Sequence, residues 1–399
     1  MGVKILSLFD GMACGMIAMQ LAGVDVESYD AYEIDKYAIK TAQHNFPMIK
    51  EHGDVFSADF TQYEGVDFLI GGSPCTYWSI AQTKNRETVA SGMGWELFSQ
   101  YVRALHEAKP KYFIYENNKS MSKAIRASID ETFGFEAVLI NSALVSAQNR
   151  QRLYWVGKRN DDGTYSQVPV EQPVDRGILL RDVLETGVAW NEKAYNLTTR
   201  CCGAIPEDTL KRHRHTMVAE PVEPRRVAQR GRYPENPKSR VAGLPTEQMF
   251  EAREDGKTNT LTTVQKDNQV AVPVNITQNG KARTLIAGYH KQGIENCCGF
   301  VGFGSSGVAE PINCTAVGKE ITIYEVKDGK ITIKGKKYPI KLKDGYYIIR
   351  KLTVRECMRL QTVPEEYVFP VSDSQAYKML GNGWTCEVIS HILKYLKEA

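Results

Sequence analysis

No run of apolar residues in this 399-residue sequence is long enough to cross a bilayer, so no membrane span is expected. No leader is expected before the first element either, because residues 3–9 already read as a buried strand. Excess charge is also lacking. Fifty Lys and Arg face 47 Asp and Glu, and a net charge of +3 identifies no partner. The nine cysteines form no disulfide framework: their number is odd, and a chain of this length can build an ordinary core. Free thiols and a reducing, cytoplasmic setting are expected. Cys201-Cys202 with His213 and His215, and Cys297-Cys298, lack the two-residue gap of zinc knuckles, so no metal is expected. The first glycine turn is not G-x-G-x-x-G, which counts against a dinucleotide.

What is present is an alternation of short apolar strands with amphipathic helices. Strands are predicted over residues 4–9, 28–34, 66–70, 112–115, 137–141 and 153–157, and helices over 15–22, 36–45 and 95–108. The alternation implies βαβ units and an α/β, Rossmann-like domain with a mostly parallel sheet. After about residue 184 the texture changes to short strands, turns, glycines and prolines. A smaller β-rich domain is therefore expected over 185–348, inserted between the first part (1–184) and a helical return (349–399) with helices at 353–360, 375–379 and 385–396. Within the insert, residues 195–199, 258–263 and 281–286 resemble one another, closing on 218–221, 270–273 and 308–311, which reads as a weak threefold repeat. Asp328-Gly329 and Asp344-Gly345 mark turns.

Ligands of such sheets bind beyond the carboxyl ends of the strands, so residues there carry the functional information. Phe9-Asp10-Gly11-Met12 through Gly15 follows the first strand, where a glycine turn and the next helix can approach a ligand. Glu33-Ile34 ends the second strand, where an acid commonly holds ribose, and Asp54-Val55 suits an adenine amino group. Taken singly, these are also what a tight turn or a solvated strand end looks like. Together they describe a nucleoside-cofactor site. Ser73-Pro74-Cys75 follows Gly71-Gly72 after the third strand. A lone cysteine is ordinarily a small buried hydrophobe, but at this end of the sheet Cys75 becomes a candidate nucleophile. Glu116, after the fourth strand, suits a proton donor or equally a structural carboxylate. In Gln148-Asn149-Arg150-Gln151-Arg152, alternate residues face one way, so Arg150 and Arg152 can converge on one ligand or simply form a basic surface.

These segments resemble, in order, the motifs of the cytosine-C5 DNA methyltransferases. Residues 9–15 resemble the family's cofactor loop, Gly71 through Cys75 its Pro-Cys loop, Glu116-Asn117 its Glu-Asn-Val motif, and Gln148–Arg152 its Gln-x-Arg-x-Arg motif. Arg350 through Thr353 and Glu356, Arg359-Leu360-Gln361 and Pro364 resemble the segment after the recognition domain, and Gly381-Asn382 the closing motif. The opening motifs lean toward the de novo type. Asn118 departs from the family, which has valine there. The resemblance implies S-adenosylmethionine as methyl donor, S-adenosylhomocysteine as product, and a specific duplex DNA sequence as substrate. It implies Cys75 as a nucleophile joined covalently to C6 of a flipped-out cytosine, Glu116 as the acid, Arg152 at O2, and Arg150 in support. Cofactor contacts are expected from Phe9, Asp10, Gly11, Met12, Gly15, Glu33, Ile34, Asp54, Val55, Ser73, Pro74, Asn382 and Trp384. DNA contacts are expected from Gln148 and the basic clusters Arg212, Arg214, Arg225, Arg226, Arg230 and Arg232, which otherwise read as a solvated face. A monomer is expected, with a cognate restriction endonuclease as a candidate partner. Three rivals are a tRNA-modifying relative, disfavoured by the size of the insert; an inactive DNA-binding scaffold, disfavoured by retention of the motifs; and a nicotinamide enzyme, disfavoured by the loop pattern.

Overall fold

A computed structural model describes residues 2–80, 86–222 and 322–397 with their side chains, and between 223 and 321 the backbone of the strands named below. The first part forms a sheet of β1 (Val3–Leu8), β2 (Val26–Tyr32), β3 (Lys50–Glu51), β4 (Phe68–Gly71), β5 (Tyr112–Asn118), β6 (Val138–Asn141), β7 (Gln151–Arg159) and β8 (Tyr165–Gln167). Its order is β3-β2-β1-β4-β5-β7-β6, with β8 beside β7. β1 to β5 pair in parallel with their neighbours, whereas β7 runs antiparallel to β5, β6 and β8. The expected α/β domain with a mostly parallel sheet is therefore the observed one.

Side chains alternate across the strands, and this alternation builds two cores. Ile5 of β1 and Ile114 of β5 face one side, under α1 (Cys14–Leu21) and the last helix of the chain. Leu6, Leu8, Phe113 and Tyr115 face the other, under α3 (Met93–Ala108) and α4 (Lys123–Phe133). The remaining helix of this part, α2 (Lys36–Asn45), starts at Asp35, whose carboxylate accepts from the Tyr37 amide. The sequence reading missed α4, although its signals are ordinary. Ser122 caps its start, Ile125, Ile129 and Phe133 recur at four-residue spacing, and Gly134 ends it in the left-handed region. β5 also runs three residues beyond its predicted end, so Glu116, Asn117 and Asn118 lie within the strand rather than after it. Polar groups are tolerated there because each is hydrogen-bonded or ion-paired.

α5 (Leu180–Val183) closes the first part, and the insert begins with α6 (Pro206–Arg212) and β9 (Met217–Val222). β10 (Arg225–Arg232) pairs with β11 (Glu247–Ala252) and β12 (Gln269–Ala271). β13 (Pro273–Val274) pairs with β14 (Arg283–Thr284), and β15 (Phe300–Val301) joins β12. A further antiparallel sheet holds β16 (Ile312–Ala316), β17 (Lys319–Lys327), β18 (Lys330–Ile333), β19 (Lys336–Pro339), β20 (Gly345–Lys351) and β9. Asp328-Gly329 does make the tight turn between β17 and β18, both residues having positive φ. Of the proposed repeat, residues 258–263 and 308–311 lie outside the described residues. Trp190, Met217, Val326, Ile331, Ile333 and Tyr347 form the core of this second unit.

The return comprises α7 (Val354–Leu360), α8 (Asp373–Asn382) and α9 (Cys386–Glu398). Thr353 and Glu356 close a reciprocal cap at the start of α7. Buried Glu356 also takes the Arg350 guanidinium, with Nη1 2.8 Å away, and that guanidinium reaches Glu220 of β9 through Nε at 2.6 Å. One ion-pair network thus ties the end of the inserted sheet to the return helix.

Candidate active site

One cavity opens at the carboxyl ends of β1, β2, β4 and β5. From the first loop it is lined by Phe9, Asp10, Gly11 and Met12; from the second strand's end, by Glu33. Ser73, Pro74 and Cys75 line it from the loop after β4, and Glu116, Arg150 and Arg152 from β5 and the entry to β7. The α8–α9 junction adds Asn382 and Trp384. Residues spread from 9 to 384 converge here because the sheet places all these strand ends on one side.

The loop after β1 is held tightly. Phe9, Gly11 and Ala13 all have positive φ. The Gly11 amide donates to Glu33 Oε2 at 2.8 Å, and the Ile34 and Asp35 amides donate to Glu33 Oε1. Asp10 accepts from the hydroxyls of Ser7 (2.6 Å) and Tyr29 (2.5 Å) through Oδ1, while its buried Oδ2 has no partner. Burial raises Asp10 to about 6 against the pull of those two hydrogen bonds, with Glu33 adding to the rise.

Glu51, at the end of β3, was not anticipated. Both its oxygens are buried without a partner, and burial, then the charges of Asp10 and Glu33, raise it to about 8. A carboxyl raised in the folded state holds its proton more tightly there than in the unfolded chain. Its contribution to stability is complete below the ordinary 4.5 and is lost as pH rises through about 8. Glu51→Gln is therefore expected to leave Tm nearly unchanged at pH 5 and to raise it by a few degrees (about 2–4) at pH 9. Calorimetric scans at the two pH values test this; equal melting at pH 9 would contradict it.

Cys75 starts a single 3-10 turn, Cys75–Tyr77, with Pro74 preceding it, and is partly exposed to the cavity. Its carbonyl accepts from the Trp78 and Ser79 amides. Gly72 passes so close to β5 that a Cβ there would meet the Glu116 carbonyl oxygen at 2.8 Å and Oε2 at 2.9 Å. No larger residue brings the loop this near. Glu116 Oε1 is 2.9 Å from Arg152 Nε, both side chains being only 11% exposed, and Trp384 Nε1 donates to Oε2 at 3.1 Å. Arg150 is buried. Its guanidinium donates to Asn196 Oδ1 and to the carbonyls of Leu197, Gly381 and Gly383, clamping the insert's first segment to the closing loop. Burial, with the neighbouring Arg152 charge, lowers it to about 10, so it remains a cation at neutral pH.

Several expected residues lie elsewhere. Gly15 is a packing residue inside α1 and not a cavity residue: a Cβ there would come 2.4 Å from Ile70 Cδ1 and 2.6 Å from Tyr29 Oη. Ile34 is 76% exposed and lies outside the cavity lining. Asp54 is exposed and caps the turn Val55–Ser57 through the Phe56 amide, and Val55 is buried beneath it, so neither lines the cavity. Gln148 is not a DNA-facing residue. It is 0% exposed, donates to Leu360 O and Gln361 Oε1, and accepts from the Leu197 amide. The chain there is pinned under Ala194 as an isolated bridge before β7 begins, so strand alternation does not extend back to residue 148. Gln361 in turn donates to the carbonyls of Leu380 and Gly383, which makes it a structural partner of the closing loop.

Arg212 and Arg214 are exposed near the end of α6, Arg212 Nε lying 3.5 Å from Asp208. Arg225, Arg226, Arg230 and Arg232 fall on β10, and their side chains, like Cys297-Cys298, lie outside the described residues. The sequence reading overlooked a denser basic feature. Lys327, Lys330, Lys334, Lys336, Lys337, Lys341 and Lys343 are all exposed along the β17–β20 hairpins. Lys334 Nζ lies 3.2 Å from Glu207 of α6, so this ribbon and α6 adjoin. Their spacing alone was a sufficient signal. Among the described residues no cluster of metal-ligand type occurs, and no helix is long and apolar enough to cross a membrane.

Comparison with known proteins bears on the family and the fold. The orphan methyltransferase M.SPRI of Bacillus phage SPR is 34% identical over 171 residues, 40% of this chain, and the match spans 38% of that protein, little more than a third of its length. The type II methyltransferase M.NlaX of Neisseria lactamica is 25% identical over 407 residues, covering 99% of this chain and 96% of its own. Among solved structures, a Spodoptera frugiperda DNMT2 variant shares the fold, with a TM-score of 0.50 and 15% identity over 99% of this chain and 100% of that one. The sequence profile of one family matches residues 3–398, and the chain belongs to that family, C-5 cytosine-specific DNA methylase.

Proposed function

We propose that this protein transfers a methyl group from S-adenosylmethionine to carbon 5 of cytosine in a specific duplex DNA sequence, releasing S-adenosylhomocysteine. The observation that carries the reading is the convergence of Cys75, Glu116, Arg152 and the Asp10 loop on one cavity.

The donor set suits the cofactor. Its sulfonium and ammonium are cations, and the cavity offers Asp10, Glu33 and Asp35, with Asp10 Oδ2 buried and unpartnered. Phe9, Gly11, Met12, Asn382 and Trp384 complete the residues that would hold it; Ser73 and Pro74 contribute from the loop that carries Cys75. When bound, it supplies an electrophilic methyl group.

Carbon 5 of cytosine is a weak nucleophile. In this reading the Cys75 thiolate adds to C6, the S–C6 bond forms, and ring electrons move toward N3 and O2. Glu116 delivers a proton to N3 while Arg152 holds O2. Carbon 5 then becomes enamine-like and takes the methyl. Loss of its proton to solvent restores the C5–C6 double bond and expels the thiolate of Cys75, and N3 returns its proton to Glu116. A stacked base cannot present its faces to the cavity, so the cytosine must be turned out of the duplex at a cost of a few kcal/mol. Arg150 acts in support, holding the closing loop against the insert.

The insert is assigned to reading DNA. Its exposed lysines on β17–β20 and Arg212 and Arg214 suit phosphate oxygens. Lys336→Glu with Lys337→Glu is expected to weaken duplex binding about tenfold at moderate salt and to lower the slope of log K against log salt by about 2. Binding titrations at several salt concentrations check this, and an unchanged slope would remove these lysines from the interface. A modification role in the cytoplasm, beside a cognate endonuclease, accords with the type II name of the Neisseria relative. Bisulfite sequencing of DNA from cells expressing the chain tests the whole reading. Conversion-resistant cytosines in one sequence context are expected, and their absence would defeat it.

A further inference from the structure

The position where the family resemblance breaks, Asn118, carries an assignment of its own. It is buried, 5% exposed, at the end of β5, two residues after Glu116. Its Oδ1 accepts from Ser120 Oγ at 2.6 Å. Ser120 in turn holds the chain downstream of Cys75. Its Oγ accepts from the Ile80 amide at 3.4 Å, and its carbonyl accepts from Arg86 Nη2 at 2.7 Å, while Arg86 Nε reaches Trp78 O. On the upstream side, Asn117 Nδ2 donates to Ser73 O at 3.2 Å, and the two asparagines join through Asn118 Nδ2 and Asn117 Oδ1 at 3.2 Å. The chain before and after Cys75 is therefore tied to two adjacent asparagines on the strand that also presents Glu116. Valine at 118 is apolar and has no oxygen to receive the Ser120 hydroxyl.

We propose that Asn118 is a positioning residue, acting through Ser120 to fix Cys75 relative to Glu116. The inference rests on the function proposed above. Reacting groups must sit within a fraction of an ångström of their productive geometry, so loosening one stem of the loop lowers turnover without removing a binding contact. Neither Asn118 nor Ser120 lines the cavity, and neither is expected to change the KM of either substrate.

The test compares Asn118→Val, Ser120→Ala and the double variant in full-length protein. Asn118→Val is expected to lower kcat about tenfold, with both KM values within twofold and Tm within a few degrees. Ser120→Ala is expected to reproduce the effect, and the double variant to lose no more than either single one, because the two act in series. An unchanged kcat in Asn118→Val, a loss confined to KM, or multiplicative effects of the two substitutions would each overturn the assignment. Hydrogen exchange of the Trp78–Ile80 amides gives an arm independent of activity: faster exchange is expected in both single variants. If wild-type protein transfers no methyl group, the proposed function fails. In that event unchanged exchange at Ile80 still refutes the tether, and faster exchange upholds it.

Discussion

Cys75→Ser is expected to reduce methyl transfer about 10^4-fold or more while DNA binding stays within a fewfold of wild type. The side chain sits on a one-turn element whose backbone bonds to Trp78 and Ser79 involve only its carbonyl, so removing the sulfur leaves the loop intact. Serine is nearly isosteric, but its hydroxyl is far too weak an acid to supply the anion that a thiol supplies at neutral pH. The charge of Arg150 acts on Cys75 from within the same cavity, but a neighbouring cation does not turn a serine hydroxyl into an anion at neutral pH. Single-turnover transfer of radiolabelled methyl to duplex DNA, beside a gel-shift titration, separates the two effects. A second readout is direct: wild-type protein is expected to form a covalent adduct with a 5-fluorocytosine duplex of the recognised sequence, and Cys75→Ser none. Comparable turnover by the serine variant would sink the nucleophile assignment.

Glu116→Gln is expected to cost between about 10^2- and 10^4-fold in kcat, with a smaller change in KM. The carboxyl is held from two sides, by Arg152 on Oε1 and by Trp384 on Oε2, so its position belongs to the site and not to the side chain's own flexibility. Glutamine preserves the volume and can still accept from Trp384, but it cannot transfer a proton. Its amide nitrogen then faces the Arg152 guanidinium, so one of the two contacts that hold the group is lost. Arg152→Ala in the same background discriminates the roles. If the pair acts as a unit, the double variant is expected to be little worse than Glu116→Gln alone. A Glu116→Gln protein retaining a tenth or more of wild-type kcat would remove the acid role.

The elements that could be read from residues alone are those dictated by short-range chemistry. Ile5, Leu6 and Leu8 alternate as a strand between two cores must, and Lys36–Asn45 forms the helix its pattern describes. Thr353 and Glu356 spell a helix start wherever they occur at that spacing. The order of the motifs grouped Cys75, Glu116, Arg150 and Arg152 by resemblance, and all four line one cavity: Cys75 follows parallel β4, Glu116 stands near the carboxyl end of parallel β5, and the arginines stand where antiparallel β7 begins, beside that same end.

What local chemistry could not decide was how each polar side chain is satisfied, since its partners lie hundreds of residues away. Gln148 and Arg150 look alike as members of one polar motif, yet Gln148 is consumed by Leu360, Gln361 and Leu197, and Arg150 by carbonyls at 197, 381 and 383. Gly15 and Gly72 are both glycines of apparent ligand loops, but one makes room for Ile70 and Tyr29 and the other for Glu116. Glu51 gave no sign in its neighbours along the chain of being a buried carboxyl, because its burial, and the like charges of Asp10 and Glu33 that add to the lift, arise only in the packed fold. Periodicity and caps are properties of a few consecutive residues and survive in any fold. Desolvation and hydrogen-bond pairing are properties of the packed whole, and they exist only once the strands have come together.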